Sequence, residues 1–294
     1  MRHALGFGLA AALLAGCAGQ PVPVASQTPL GEPTNEVIVQ SATPTEPAPA
    51  GGGELATDTT APQSTPEQPA PEPQKPLAGR VIVIDPGHNG GASAAFNNRR
   101  VPAGNGRMKA CNTSGTATRS GLTEHAVNFT LARALADALA GEGAQVVLTR
   151  TTDTGAGPCV NDRAAIGNRA GADAVISLHA DGNLSSTARG FHVIRSTTMV
   201  GGPAVEDAST ALAQRVVSEF ERTGMPRSTY TGGKAAITAR DDIAGLNLLT
   251  VPGVMLEAGN MHHPTDARLL ASPEFVQAEV AALTRAVEGW LTQQ

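Results

Sequence analysis

From residue 77 onward, apolar positions follow two patterns that alternate along the chain. Unbroken apolar runs predict buried β-strands at residues 80–85, 145–149, 174–178, 190–195 and 253–257. Apolar residues at helical spacing predict helices at residues 123–140, 160–170, 204–223 and 272–291. Strands that are apolar throughout and alternate with helices are typical of a sheet covered on both faces. We therefore predict one α/β domain over residues 78–294, with a twisted, mostly parallel sheet of roughly six strands flanked by helices on both faces.

The N-terminal segment has the pattern of an export signal. Met1-Arg2-His3 is followed by an apolar run from Ala4 to Ala15, which is too short to span a bilayer. The run ends in Leu14-Ala15-Gly16-Cys17, which resembles a bacterial lipobox, and an ordinary signal peptide with a chance cysteine is the alternative. We expect a lipoprotein signal peptide over residues 1–16. The exported protein would then be anchored by a lipid on Cys17 to the outer face of the membrane, in the periplasm or cell-wall zone of a bacterium.

Residues 17–77 are rich in Pro, Thr, Ala and Glu and lack periodic apolar positions. Such a segment cannot bury enough apolar surface to offset the entropy of ordering its backbone. Pro-rich chain is extended, at about 3.1 Å per residue in the polyproline form. We expect a disordered tether that holds the folded domain away from the membrane.

Charge and cysteine content each restrict the interpretation. The net charge of −5 argues against a nucleic-acid partner, because nucleic-acid binding needs a basic face. Of three cysteines, Cys17 is assigned to the lipid, which leaves Cys111 and Cys159. We predict that these two form a disulfide, since disulfides persist in oxidising compartments, and two free thiols are the alternative.

Side chains with metal-binding chemistry lie at the ends of three predicted strands. His88 and His179 follow the first and third strands, Glu257 ends a later one, and Glu124 opens the first long helix. Ligands of open α/β sheets gather outside the carboxyl ends of the strands, so we expect these four residues to meet at one edge. Two His and one Glu form a common catalytic zinc set, and a further Glu supplies a general base. Taken singly, each residue also has a structural explanation, in a turn, at a helix N-terminus, in the core or on the surface.

Four short segments carry a resemblance to a known family. Residues 83–91 (VIDPGHNGG) resemble the opening motif of zinc-dependent N-acetylmuramoyl-L-alanine amidases, which are cell-wall hydrolases. Glu124 with the helix that follows, residues 177–181 (SLHAD) and residues 255–259 (MLEAG) are similar to the later motifs, in the same order. The resemblance covers residues 79–292.

The resemblance implies a reaction and a role for each residue. It implies that His88, Glu124 and His179 bind one Zn²⁺ and that Glu257 is the catalytic carboxylate. The reaction would be hydrolysis of the amide between N-acetylmuramic acid and L-alanine of peptidoglycan, in cell-wall turnover or daughter-cell separation. Expected partners are peptidoglycan and, through the lipid, the membrane, with the protein a monomer. A non-catalytic peptidoglycan-binding lipoprotein and a zinc peptidase of the stem peptide are the alternatives.

Several nearby features leave their roles open. Asp85 either orients a ligand histidine or completes an Asp-Pro turn. The loop at residues 89–122 either covers the cleft as a lid or shapes substrate specificity. We expect His125 to face solvent, because neighbouring helix residues do not share a face. His192 is expected to be structural, and His262 and His263 are candidate substrate contacts. Asn260 stands where many relatives have an aromatic residue.

Overall fold

The computed structural model describes residues 74–293, so the predicted signal peptide, the lipid site at Cys17 and most of the tether lie outside the described residues. Within residues 74–293, no helix has the length and apolar character needed to cross a membrane. In chain order, the elements are β1 (Val81–Pro86), α1 (Ala94–Asn97), β2 (Arg100–Pro102), β3 (Met108–Ala110), α2 (Glu124–Gly141), β4 (Gln145–Leu148), α3 (Val160–Arg169), β5 (Ala174–Asp181), β6 (His192–Ser196), α4 (Pro203–Phe220), β7 (Ile237–Arg240), α5 (Ala244–Asn247), β8 (Gly253–Asn260), α6 (Pro264–Leu270) and α7 (Pro273–Leu291).

Six of these strands form the main sheet, in the order β4-β1-β5-β8-β6-β7. The first four are mutually parallel, β6 runs antiparallel to β8, and β7 runs parallel to β6. The predicted mostly parallel sheet of six strands is therefore confirmed. The sixth strand, β7, falls in a segment for which no strand was predicted. Within the long loop, β2 and β3 pair with each other as an antiparallel hairpin.

Successive residues of the central strands pack on opposite faces of the sheet. Ile82 and Ile84 of β1 belong to the larger apolar core, which includes residues of α2, α4 and α7. Val83 belongs to a smaller core with residues of α3 and α5. Full burial of one such side chain stabilises the fold by about 1.5–3 kcal/mol, so alternating polar residues would be costly here. Coverage of both faces explains the unbroken apolar runs of the sequence.

The same architecture determines where polar side chains can collect. The parallel strands β1, β5 and β8 end at one edge of the sheet, just where their sequences change from apolar to polar. Helix α2 packs along β1 and β5, which brings its N-terminus to this edge. A site at this edge therefore receives residues from three strands and one helix.

Candidate active site

The four predicted site residues surround one cavity of about 310 Å³ at the carboxyl edge of the sheet. His88 follows β1 directly, and Glu124 is the first residue of α2. His179 lies on β5, and Glu257 lies beside it on β8, because the strand register pairs these two positions. The structure thus brings all four residues together, although they are widely separated in sequence.

The three predicted metal ligands present their nitrogen and oxygen atoms to a common point, within 4.8 Å of one another. His88 Nε2 lies 2.9 Å and His179 Nδ1 lies 3.0 Å from the same atom, Glu124 Oε1. The two imidazole rings meet edge to face, with their centroids 4.7 Å apart. Two imidazole nitrogens and one carboxylate oxygen match a catalytic zinc set that leaves a fourth position open.

The hydrogen bond at His88 Nδ1 shows that this set fits a cation. Nδ1 lies 2.8 Å from the carbonyl oxygen of Thr113, and it must be the donor because a carbonyl oxygen only accepts. In the neutral ring Nε2 then carries a lone pair, which faces the Glu124 carboxylate oxygen 2.9 Å away. Two lone pairs at that distance need a proton or a metal ion between them. A bond from the other ring nitrogen to a carbonyl is also typical of a metal-ligating histidine.

The protonation states of Glu124 and His179 suit metal binding. Burial raises the pKa of Glu124, but the contacts of its carboxylate with His179 and His88 outweigh burial and hold that pKa well below its usual value. The carboxylate also accepts backbone N–H bonds from Thr116 at 3.0 Å and Ala180 at 3.2 Å. Burial lowers the pKa of His179, and its hydrogen bond with Glu124 offsets this only in part. At neutral pH the carboxylate is therefore ionised and His179 is neutral.

Glu257 differs from Glu124, because most of its surroundings disfavour the ionised carboxylate and only the charge of Arg240 favours it. Burial raises the pKa of its carboxyl well above the usual value, and the negative charges of Glu124 and Asp181 raise it further. Its Oε2 is buried and has no hydrogen-bond partner among residues 74–293. A buried oxygen without a partner is costly, so a water, an ion or a substrate group is the expected partner of this oxygen. A nearby divalent cation would favour the ionised form of this carboxylate.

Asp85 does not contact a histidine, so it holds the site indirectly. Its carboxylate accepts hydrogen bonds from Thr149 Oγ1 at 2.6 Å, Ser177 Oγ at 2.7 Å and Arg163 Nη1 at 2.5 Å. Burial raises the pKa of Asp85, but the charge of Arg163 and these hydrogen bonds outweigh burial and lower the pKa to about 2. Arg163 in turn bonds the carbonyl oxygen of His88 at 2.8 Å. Asp85 is thus linked to His88, a predicted metal ligand, through Arg163.

The long loop contributes groups that contact the predicted metal ligands. The predicted disulfide between Cys111 and Cys159 is present in the structure. It joins the segment after β3 to the N-cap of α3. Just beyond Cys111, Thr113 holds His88 and Thr116 holds Glu124 through main-chain atoms. We call residues 111–116 the stem of the loop.

The β2–β3 hairpin, residues 100–110, also reaches the cavity. Lys109 and Ala110 line it, together with Ile243, Ala244 and Gly245. The hairpin is joined to the neighbouring segment by ion pairs from Arg107 to Asp241 at 2.7 Å and from Lys109 to Asp242 at 3.4 Å. These pairs are solvent-exposed or nearly so, which makes each of them individually weak.

The remaining histidines occupy varied positions. The expectation that His125 faces solvent is wrong: its side chain is only 20% exposed, and Nδ1 lies 2.9 Å from Asp153, because the turn after β4 packs against the start of α2. His192 is buried on β6, and burial lowers its pKa to about 4. His263 caps α6, while His262 Nε2 lies 3.0 Å from the hydroxyl of Thr116.

Other residues of the site were not identified from the sequence. Thr113 and Thr116 act through backbone atoms, which leave no side-chain signature. Arg163 lies in the predicted helix at residues 160–170, but its burial is evident only in the structure. Asn260 is fully buried and donates to the carbonyl oxygens of Asn183 and Ala188, so it holds a loop together.

Comparison with known proteins gives consistent matches over the folded region. The family model described as N-acetylmuramoyl-L-alanine amidase (Amidase_3) matches residues 82–289, which contain all four predicted site residues. An N-acetylmuramoyl-L-alanine amidase of Mycobacterium tuberculosis is 39% identical over 222 residues, covering 74% of this chain and 89% of that protein.

Solved structures agree with these sequence matches. The crystal structure of the N-acetylmuramyl-L-alanine amidase Ami1 from Mycobacterium smegmatis superposes with a TM-score of 0.70 at 39% identity, covering 74% of this chain and 99% of that one. The apo form of Ami1 from Mycobacterium abscessus superposes with a TM-score of 0.69 at 36% identity, covering 73% and 100%.

Proposed function

This chain belongs to the N-acetylmuramoyl-L-alanine amidase family, and we propose that it is a zinc-dependent member that acts on the bacterial cell wall. The bond hydrolysed is the amide between the lactyl group of N-acetylmuramic acid and the L-alanine of the stem peptide. One observation carries the zinc dependence: His88 Nε2 and His179 Nδ1 both approach Glu124 Oε1 within 3.0 Å. In the neutral state of His88, that arrangement needs a cation.

The proposed chemistry divides between the metal and one carboxylate. His88, Glu124 and His179 would hold the zinc ion, which when bound would supply polarisation of the amide carbonyl and a lowered pKa of water. Glu257 lines the same cavity, and its buried Oε2 has no protein partner among the described residues. In the proposed role it accepts a proton from the attacking water and returns it to the nitrogen of L-alanine as the C–N bond breaks. The products are a muramic acid carboxylate and a stem peptide with a free amine.

The experiment is digestion of purified peptidoglycan by the mature chain carrying Cys17→Ala, so that no lipid interferes. We expect intact stem peptides with a free L-alanine amine. Glu257→Gln should reduce product formation by about 10²-fold or more, because general acid–base catalysis is worth that much. Chelation, in a separate experiment, should also stop product formation, because it removes the ion on which the proposed reaction depends. Glu274→Gln, at an exposed position of α7, is the matched control and should retain activity.

Product analysis also separates the competing functions. Shortened stem peptides would identify a peptidase and overturn the amidase assignment for this chain. A folded, zinc-loaded protein that binds peptidoglycan and releases no product would instead favour a binding lipoprotein. Full activity after complete removal of metal would refute the zinc dependence.

The lipid anchor is a separate part of the proposal. The sequence at Cys17 supports attachment of a diacylglyceryl group, with residues 17–77 as the tether between the membrane and the enzyme. Metabolic labelling with a tagged fatty acid should mark the wild-type protein and leave Cys17→Ala unlabelled. A labelled Cys17→Ala protein, or an unlabelled wild type, would contradict this assignment.

A further inference from the structure

The turn that carries His88 has an unusual backbone conformation, and its carbonyl oxygens all accept hydrogen bonds. His88 has a φ of +61°, which is uncommon for a residue other than glycine and costs about 1–3 kcal/mol when imposed. Three consecutive carbonyl oxygens, those of Pro86, Gly87 and His88, accept hydrogen bonds from two buried arginines, Arg150 and Arg163. The strained turn therefore persists because other groups hold it.

Arg163 makes the contacts that bracket His88. Its Nη1 donates to the carbonyl oxygen of Pro86 at 2.7 Å, and its Nη2 donates to that of His88 at 2.8 Å and to Asn89 Oδ1 at 2.5 Å. Nη1 also bonds Asp85, whose position is fixed by hydroxyl groups from the two flanking strands. One planar guanidinium thus ties the residues on both sides of His88 to the sheet.

Arg150 supports the same turn from its other side. Its Nε donates to the carbonyl oxygen of Pro86 at 2.9 Å and its Nη2 to that of Gly87 at 3.2 Å. Its remaining hydrogen bonds go to Asp153 and to the carbonyl oxygens of Thr152 and His125, so it is less closely tied to His88 itself. For this reason the decisive contacts are those of Arg163.

We propose that Arg163 is a positioning residue of the metal site, which fixes the direction of the His88 ring by holding the backbone on both sides of it. This inference rests on the proposed zinc site. Metal–ligand distances tolerate about 0.2 Å, so a small movement of the turn is enough to weaken coordination. Lysine cannot replace this function, because a single ammonium lacks the planar fork that reaches two carbonyl oxygens and an amide at once.

The test compares Arg163→Lys with Arg169→Lys, a matched control at the exposed C-terminal end of the same helix. Zinc affinity is measured by competition with a chromogenic chelator, on the metal-free mature chain carrying Cys17→Ala. Thermal unfolding of the metal-free protein is measured in parallel. We expect the zinc Kd of Arg163→Lys to rise about 10–100-fold, as for other residues that orient a metal ligand, and that of Arg169→Lys to stay within about twofold of wild type.

Each outcome decides a different point. If Arg163→Lys is folded and its zinc Kd lies within about threefold of wild type, the positioning role is refuted and Arg163 is only structural. If Arg163→Lys does not fold, Asn89→Ala decides, because it removes one Arg163 contact and leaves the ion pair with Asp85 in place. An unchanged zinc Kd in Asn89→Ala would then overturn the inference, and a raised one would support it. A wild-type chain that binds no zinc refutes the proposed function itself.

Discussion

Replacement of Gly87 by alanine is a direct steric test of the metal site. Gly87 lies between β1 and His88, where the backbone passes very close to the ring of His179. A Cβ at this position would lie 2.3 Å from His179 Nε2 and 2.4 Å from Cε1, whereas ordinary contacts begin at 3.4 Å. The backbone of Gly87 is not in the left-handed region, so the substitution perturbs the ring and not the local dihedral angles.

The size of the effect follows from these distances. To restore ordinary contact, the His179 ring must move by about 1.1 Å, or the strand end must move by as much, and metal sites tolerate only about 0.2 Å. His179 would leave the common point that it shares with His88 and Glu124. A misplacement of about 1 Å costs about 10² in rate, equivalent to about 2.7 kcal/mol. We expect losses of that order in both zinc affinity and kcat/KM.

The assay measures zinc Kd by chelator competition and kcat/KM on a soluble muramyl peptide. Gly141→Ala is the control, because a Cβ at the end of α2 would meet no atom within 4 Å. This control should keep full zinc affinity. Wild-type zinc affinity in a folded Gly87→Ala protein would refute the assignment of His179 as a ligand in this geometry.

Three further predictions concern stability and access to the site. Burial raises the pKa of Glu279 well above its usual 4.5, so its stabilising contribution is complete below pH 4.5 and falls by about 1.4 kcal/mol per unit as pH rises toward the folded-state pKa. In urea unfolding, the free energy of unfolding of Glu279→Gln relative to that of wild type should therefore rise as pH increases. Parallel pH profiles of the two proteins would contradict this. The Cys111→Ser/Cys159→Ser double variant should lose about 4 kcal/mol, as the chain-entropy relation gives for a separation of 48 residues, and a loss below about 1 kcal/mol would count against it. If the hairpin restricts access, Asp241→Asn should raise kcat/KM by at most about fivefold, because an exposed ion pair is worth about 1 kcal/mol or less, and an unchanged or lower value would argue against restriction.

The sequence predicted the parts of the fold that depend on burial. Strands β1, β5 and β8 are enclosed by helices on both faces, so their apolar runs mark them clearly. Strand β7 escaped prediction because it is a four-residue edge strand in which threonine and arginine alternate with apolar residues. The β2–β3 strands have three residues each and contribute no residue to the two apolar cores. Pairing of such short, exposed strands depends on tertiary contacts, so the sequence shows no periodic pattern of apolar residues that would predict it.

The site shows a similar division. Residues with proposed side-chain roles, such as His88 and Glu257, could be recognised from residue type and from their place at strand ends. The groups that orient them could not. Thr113 and Thr116 present a carbonyl oxygen and an N–H, which every residue has, and only the path of the chain brings them to the ligands. The wrong prediction that His125 faces solvent has the same origin. Helical spacing alone does not reveal that the turn after β4 packs against the first turn of α2.

These contacts change what loop deletion can test. The hairpin forms ion pairs with Asp241 and Asp242, whereas the stem contacts His88 and Glu124 directly. The disulfide connects the stem to the N-cap of α3, and the first turn of α3 carries Arg163. The disulfide thus links the segment that carries Thr113 to the helix that carries Arg163, and both of these residues contact His88. We therefore expect removal of the whole loop to abolish the proposed zinc binding and so to hide any gain in access. Only a deletion confined to residues 100–110 can separate occlusion from metal positioning, because it leaves the stem, the disulfide and α3 intact.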